Sequence, residues 1–373
     1  MASGPPTSPD APGPPGPLGP LPALGDYAAR AAECLPEMAY RYLMSAAGDG
    51  RTAGWNEEAY GRIRLAPRVG VDVTAVDPSV TLLGRRLRHP VLLAPTGCHR
   101  LFHPDGEVAS VRGATDTVYV VSSYTTSTLA EIAAAATGPW WFQLNPAPDP
   151  GFVTAVLDEA TDRGAEALVV TLDTPVAGMR TGQGWDGVTL PDGLEFGVLR
   201  DLPGGLAPPA GPEAIHRPAL DAGFTWARLE ALCADRTLPV LAKGVLRPDD
   251  AERALAAGAA GVIVSNHGGR NLDTPPATAD ALPRVAERVG GRAPVLVDGG
   301  IRSGTDVLKA RALGADAVLT GRPYLWGLAA EGADGVRRVV ARLRVELEMA
   351  MALCGVRTMD EITDDLLWSD ETR

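Results

Sequence analysis

The stretch from Gly261 to Pro276, GVIVSNHGGRNLDTPP, carries four apolar residues straight into a Ser, an Asn and a His, then two glycines, an Arg and an Asp. Histidine takes or gives a proton near neutral pH, so His267 is a candidate general base. The planar fork of Arg270 can grip a carboxylate, and Asp273 closes the same loop. Asp173, at the end of ALVVTLD, is placed to orient the His267 ring and to stabilise its charged form. Lys243 ends the apolar run LPVLAKG. An ammonium there needs a partner. It could form a Schiff base with a carbonyl substrate, stabilise negative charge on a bound cofactor, or sit in a structural ion pair.

A second group points to an anion. VDGGIRSGTDVLK and LTGRP place Asp298, Gly299, Gly300 and Arg302, then Gly321 and Arg322, just after two apolar runs. Glycine lets backbone approach a ligand closely, loop and helix-start amides hold phosphate, and arginine adds charge-assisted contacts. A metal centre is not expected: the five histidines, His89, His99, His103, His216 and His267, show no HxH or HExxH spacing.

Eight short apolar runs must carry these residues. They start at Val91, Val118, Trp140, Ala167, Leu238, Gly261, Ala293 and Ala317, and most are followed by a helical pattern. Runs without polar alternation are buried on both faces, as in parallel α/β folds. Eight such units predict a closed (β/α)₈ TIM barrel, whose strand C-terminal ends form one active face. Thr96, Ser122, Gln143, Asp173, Lys243, His267, Asp298 and Arg322 all fall at such ends. An N-terminal helical cap, interrupted at Pro36, precedes the barrel. Residues 177–223, rich in Gly and Pro, read as a lid-like insertion over the mouth, with an irregular surface insertion as the alternative. Residues 1–25 read as a disordered Pro/Gly-rich tail and 26–373 as one domain.

The chain has 373 residues and a formal net charge of −12, which argues against a nucleic-acid backbone as partner. No apolar run reaches the ~20 residues of a membrane span, and the N-terminus lacks a secretory pattern. The expected compartment is the cytosol. The 4 cysteines form no CxxC pair, so a disulfide framework is not expected. Cys98, just after the first barrel strand, is either core or pocket.

Together, KGVLRPDDAERALAAGAAGVIVSNHGGRNLD and DGGIRSGTDVLKARALGADAVLTGRP resemble the signature regions of the FMN-dependent α-hydroxy-acid oxidase and dehydrogenase family. LAPTG, HPDGE, SSYTTSTLAEIA, WFQL and TLDTP extend the likeness over roughly residues 26–362. The resemblance implies FMN across the barrel mouth. It implies Pro95, Thr96, Gly97 and Ser122 near the flavin, Gln143 and Thr171 on its ring, and Lys243 beside its reduced anionic edge with Ser265 close by. Asp298, Gly299, Gly300, Arg302, Gly321 and Arg322 would surround the ribityl phosphate. His267 matches the active-site base with Asp173 behind it. Arg180 and Arg270 match the pair that holds the substrate carboxylate, and Tyr42 matches a substrate-binding tyrosine. The implied reaction converts an L-2-hydroxy acid to the 2-keto acid, with O₂ as acceptor giving H₂O₂. The alternatives are a dehydrogenase using another acceptor or an oxidative decarboxylase. A Lys243-dependent aldolase-like barrel and a non-catalytic flavin-binding protein are remote. A homo-oligomer, tetramer or octamer, is also implied.

Departures cluster around the substrate. Asn145 stands where the family has a tyrosine two residues after Gln143, and Tyr124 where an aromatic is usual. Gln183 and Asp186 replace an Asp and an Asn. Smaller walls predict a 2-hydroxy acid larger than glycolate or lactate, such as an aryl or functionalised one.

Overall fold

The computed structural model describes residues 19–180, 190–207, 209, 211 and 215–369. Of the expected tail, residues 1–18 lie outside these, as do Gln183 and Asp186. Order begins slightly earlier than expected, because α1 spans Leu24–Cys34. Pro36 cannot continue that helix, and α2 follows as Glu37–Met44, then α3 as Arg51–Arg62.

Ahead of the barrel lies a hairpin, β1 (Val80–Leu82) with β2 (Arg85–Leu87). Its turn puts Leu83 and Gly84 at φ 49° and 79°, the positive-φ pair that two-residue hairpins favour. Leu82 and Leu87 pack with Leu92, Trp141, Ile263 and Leu319 in the barrel interior. Strands of three residues with a Leu-Gly turn carry too little pattern to be read from sequence.

The eight apolar runs form the barrel: β3 (Val91–Leu93), β4 (Tyr119–Ser122), β5 (Trp140–Leu144), β6 (Leu168–Thr171), β7 (Val240–Val245), β8 (Gly261–Val264), β9 (Val295–Asp298) and β10 (Ala317–Thr320). Pairing is parallel throughout, and β10 closes on β3. All but one position of these strands are buried, which explains their uninterrupted apolarity.

Between and after the strands run α4 (Gly106–Gly113), α5 (Leu129–Ala135), α6 (Pro150–Asp162), α7 (Trp226–Asp235), α8 (Pro248–Ala256), α9 (Thr278–Val289), α10 (Gly304–Ala312) and α11 (Arg322–Leu353), the last broken at Gly332. Local signals fix several starts: Thr128 and Glu131 form a capping box on α5, and Asp149 caps α6 ahead of Pro150. No helix among the described residues is long and apolar enough to cross a membrane.

Candidate active site

A cavity of about 660 Å³ opens at the C-terminal ends of the barrel strands. That lies within the ~300–1,000 Å³ of small-molecule sites. Strand register assembles its floor. Ser122 pairs with Gln143 and Thr171 with Lys243 across neighbouring strands. The Gln143 amide donates to Thr171 Oγ1 at 2.8 Å. Pro95, Thr96 and Gly97 line the side carried by β3.

A chain of polar groups crosses the floor. Lys243 Nζ lies 2.9 Å from Asp298 Oδ2 and donates to Ser265 Oγ at 2.8 Å. Ser265 Oγ also accepts from the His267 backbone N–H at 3.0 Å. His267 Nδ1 stands 3.2 Å from Asp173 Oδ1. Ser265 and Asp173 do not themselves line the cavity; they sit one layer behind Lys243 and His267. Burial works against the Lys243 charge, but Asp298 and then Asp173 raise its pKa. Burial also opposes the Asp173 charge, and His267 with Lys243 pulls that carboxyl below its usual range. For His267, burial prevails over Asp173 and lowers the imidazole pKa, with Lys243 and Arg180 acting the same way. The ring is therefore neutral at neutral pH and can act as a base. Because Nδ1 faces Asp173, Nε2 is the nitrogen left for a ligand.

The backbone at this corner is set by close approach. His267 itself has a φ of 58°. A Cβ on Gly269 would fall 2.5 Å from Ala53 N, so the loop can lie against α3 only with glycine there. Asp273 does not join the site: it accepts from Asp49 N at 3.0 Å and Thr52 N at 2.9 Å, at the start of α3.

Beside His267 stand two guanidinium groups. Arg270 and Arg180 lie 5.2 Å and 5.9 Å from the centre of the Tyr42 ring, which stacks on Phe102 at 6.1 Å. Neither arginine has an acidic partner among the described residues. Burial and the Arg180 charge lower the Arg270 pKa well below its usual value, so a bound anion would relieve both. Arg270 Nη1 donates to the carbonyls of Tyr42, Leu43 and Ser45, and Arg322 to those of Leu43 and Ser45. The C-terminal turn of α2, the negative end of its dipole, thus holds both side chains. Nothing in the local sequence announced that tie.

Arg302 and Arg322 flank the start of α11, which has no side-chain cap. Arg302 pairs with Glu57 at 2.6 Å and lies over Trp326. Burial, then Arg302, pushes Arg322 down to about 10. A Cβ on Gly321 would meet nothing closer than Thr96 Cγ2 at 3.7 Å, so its face is open. Gly299 and Gly300 are glycine for another reason as well: a Cβ on Gly300 would lie 2.0 Å from Asn56 O of α3. Asp298 Oδ1 and Thr320 Oγ1 are buried without a hydrogen-bond partner among the described residues. Cations, an uncapped helix start and orphaned polar atoms beside a cavity of this size fit a phosphate-bearing polyhydroxylated cofactor such as FMN. No metal-holding cluster occurs among the described residues.

The outer wall is apolar and was largely missed by sequence reasoning. Tyr124 meets Phe196 edge-on at 5.6 Å, and Leu206, Ile215 and Met179 line the same side. Phe196, Leu206, Ile215 and Met179 belong to the connection between β6 and α7, whose irregular sequence has no period from which an inward face can be read. Asn145 lines the cavity too. Its Nδ2 donates to Ser123 Oγ at 3.4 Å and its buried Oδ1 has no hydrogen-bond partner among the described residues, so it offers an acceptor. Cys98 is both core and pocket, buried yet lining the cavity.

Comparison with known proteins adds to this geometry. The family profile described as FMN-dependent dehydrogenase matches residues 31–369. A 2-hydroxyacid oxidase of Dictyostelium discoideum is 41% identical over 91% of this chain and 88% of its own length. An L-lactate oxidase of Roseobacter sp. (strain GAI101) is 43% identical, covering 92% and 94%. A crystal structure of mandelate oxidase with (S)-4-hydroxymandelic acid superposes with a TM-score of 0.86 at 37% identity, covering 93% of this chain and 98% of that one. Further relatives overturn the cytosolic expectation. Those from Oryza sativa and Arabidopsis thaliana include peroxisomal (S)-2-hydroxy-acid oxidases. Location is set by recognition of a signal, and folding chemistry does not report it.

Proposed function

This chain belongs to the FMN-dependent α-hydroxy-acid oxidase and dehydrogenase family, and on that premise we propose how its own residues divide the work. The reaction is FMN-dependent oxidation of an L-2-hydroxy acid to the 2-keto acid. FMN, when bound, supplies the two-electron acceptor.

Arg180 and Arg270 hold the substrate carboxylate from two loops, with Tyr42 between them. This fixes the α-carbon toward the cofactor and converts an encounter into a positioned reaction. His267 Nε2 takes one of the two protons the alcohol loses, and Asp173 balances the resulting imidazolium. Lys243, held in place by Asp298 and Ser265, would supply a positive charge to a bound flavin. Arg302, Arg322 and the start of α11 would hold the phosphate, and Asp298 Oδ1 would be left to accept from a hydroxyl. Gln143, Thr171, Ser122, Pro95, Thr96 and Gly97, which line the cavity, would hold the ring. The observation that carries this reading is the Asp173–His267 pair standing beside two arginines that lack acidic partners among the described residues.

The substrate is an aryl or otherwise bulky 2-hydroxy acid, a reading supported by the apolar wall of Tyr124, Phe196, Leu206 and Ile215. Molecular oxygen is the acceptor, as the names of the oxidase relatives suggest. The chain works as a homo-oligomer; Val345, Met349 and Leu353, exposed at successive turns of α11, supply an apolar stripe for subunit contact.

The deciding experiment releases the chromophore by denaturation, identifies it by mass, and follows anaerobic bleaching by a panel from glycolate to mandelate. Products are then identified in air. FMN with a 2-keto acid and H₂O₂ is expected. FAD, or no flavin after reconstitution, overturns the reading, and a decarboxylated acid overturns the oxidase assignment.

A further inference from the structure

A row of buried hydrogen bonds runs back from the cavity at Thr96 to residues the mechanism above does not use. Thr96 Oγ1 lies 2.7 Å from His99 Nε2 and touches the Tyr324 hydroxyl. His99 is fully enclosed, and its Nδ1 is 2.8 Å from Ser110 Oγ. The Tyr324 hydroxyl also reaches the Ala94 carbonyl at 2.9 Å, and Ser110 reaches the Gly106 carbonyl at 3.4 Å.

Two proton arrangements run along this row, each leaving one of the two end carbonyls without a proton from its hydroxyl neighbour. In one, Tyr324 donates to Thr96, Thr96 to His99 Nε2, His99 Nδ1 to Ser110, and Ser110 to Gly106. In the other, Ser110 donates to His99 Nδ1, His99 Nε2 to Thr96, Thr96 to Tyr324, and Tyr324 to Ala94. Both have the same consequence: the only hydroxyl proton of Thr96 is committed inside the protein, and one Oγ1 lone pair is left over on a residue that lines the cavity.

We propose that His99 is a positioning residue that, with Tyr324, makes Thr96 an obligate hydrogen-bond acceptor toward the bound flavin and so favours the reduced cofactor. Two-electron reduction adds an N–H to the flavin ring system, and an acceptor-only neighbour stabilises the form with the extra donor; hydrogen bonds to ring nitrogens are a lever by which proteins tune such cofactors. Burial lowers the His99 pKa and keeps the ring neutral. Glu107 accepts from the His99 backbone N–H at 3.0 Å and anchors the loop.

The proposal rests on the FMN reading above, and the test separates the two. The midpoint potential of the FMN-loaded protein is measured by spectroelectrochemistry for wild type, His99→Leu, Thr96→Val and the double variant. His99→Leu and Thr96→Val are each expected to lower the preference for reduced over oxidised FMN about tenfold, which for a two-electron couple is about 30 mV. The double variant should fall no further than Thr96→Val, because both act through one hydroxyl. His99→Gln, with an acceptor and a donor on one amide, should recover the wild-type potential. A purely structural His99 would change thermal stability and leave the potential in place. If His99→Leu does not fold, Thr96→Val decides alone: an unchanged potential there overturns the proposal. A wild-type protein that takes up no FMN would instead overturn the functional reading itself.

Discussion

Gly244 leaves the space in which Asp173 stands: a Cβ on Gly244 would lie 2.6 Å from both Cβ and Cγ of Asp173. Its φ of 98° also suits glycine alone, and the register of β7 against β8 shifts at this point. Gly244→Ala is therefore expected to displace the Asp173 carboxylate from His267 while leaving FMN bound. Stopped-flow reduction should slow by about tenfold or more, the order of a lost general-base support. A variant that reduces its flavin at the wild-type rate would show that the pair tolerates displacement.

His267→Ala is expected to keep FMN and to lose about 10²–10⁴-fold in the rate of flavin reduction by substrate. Anaerobic stopped-flow with absorbance at the flavin band checks this. Retention of the spectrum separates loss of the base from loss of the fold.

The pH dependence carries a sign. A base must be deprotonated, so activity is lost as pH falls through the His267 pKa. Burial, with Lys243 and Arg180, lowers that pKa, and the acid limb of kcat/KM should lie below the ~6.5 of an ordinary imidazole. Asp173 acts in the opposite direction and raises it. Asp173→Asn should shift the limb to still lower pH and slow the plateau rate, because a weaker base is left without its counter-charge. A limb that moves upward in this variant contradicts the assignment.

Arg270→Lys should weaken substrate binding by an amount comparable to a charged hydrogen bond, ~1.5–3 kcal/mol, because Lys lacks the planar fork. Amides or esters of a good substrate should be poor for the same reason. Equal reduction rates for acid and ester would remove the carboxylate clamp from the mechanism.

Phe196→Ala should cost an aryl substrate roughly 10–200-fold in kcat/KM and leave a small 2-hydroxy acid nearly unaffected, since only the larger side chain reaches that wall. Asn145→Tyr should act in the same direction by refilling the pocket. Ratios of kcat/KM for mandelate and lactate, measured for each variant, are the readout.

Sequence alone determined the barrel. Eight apolar runs without polar alternation demand burial on both faces, and the resulting strands match those runs within a few residues. The placement of His267, Lys243, Arg270 and Arg322 at one face follows from that, because every parallel strand ends on the same side. The hairpin Val80–Leu87 stayed hidden because its strands are three residues long. Tertiary structure decided the partners. Ser265 bridges Lys243 and His267, α2 carbonyls hold Arg270 and Arg322, and Gly300 admits Asn56. Such contacts join residues far apart in the chain, and neither periodicity nor spacing encodes them. The apolar wall of Phe196, Leu206 and Ile215 is the extreme case: an irregular loop has no repeating face, so only its path over the barrel mouth decides which side chains meet the substrate.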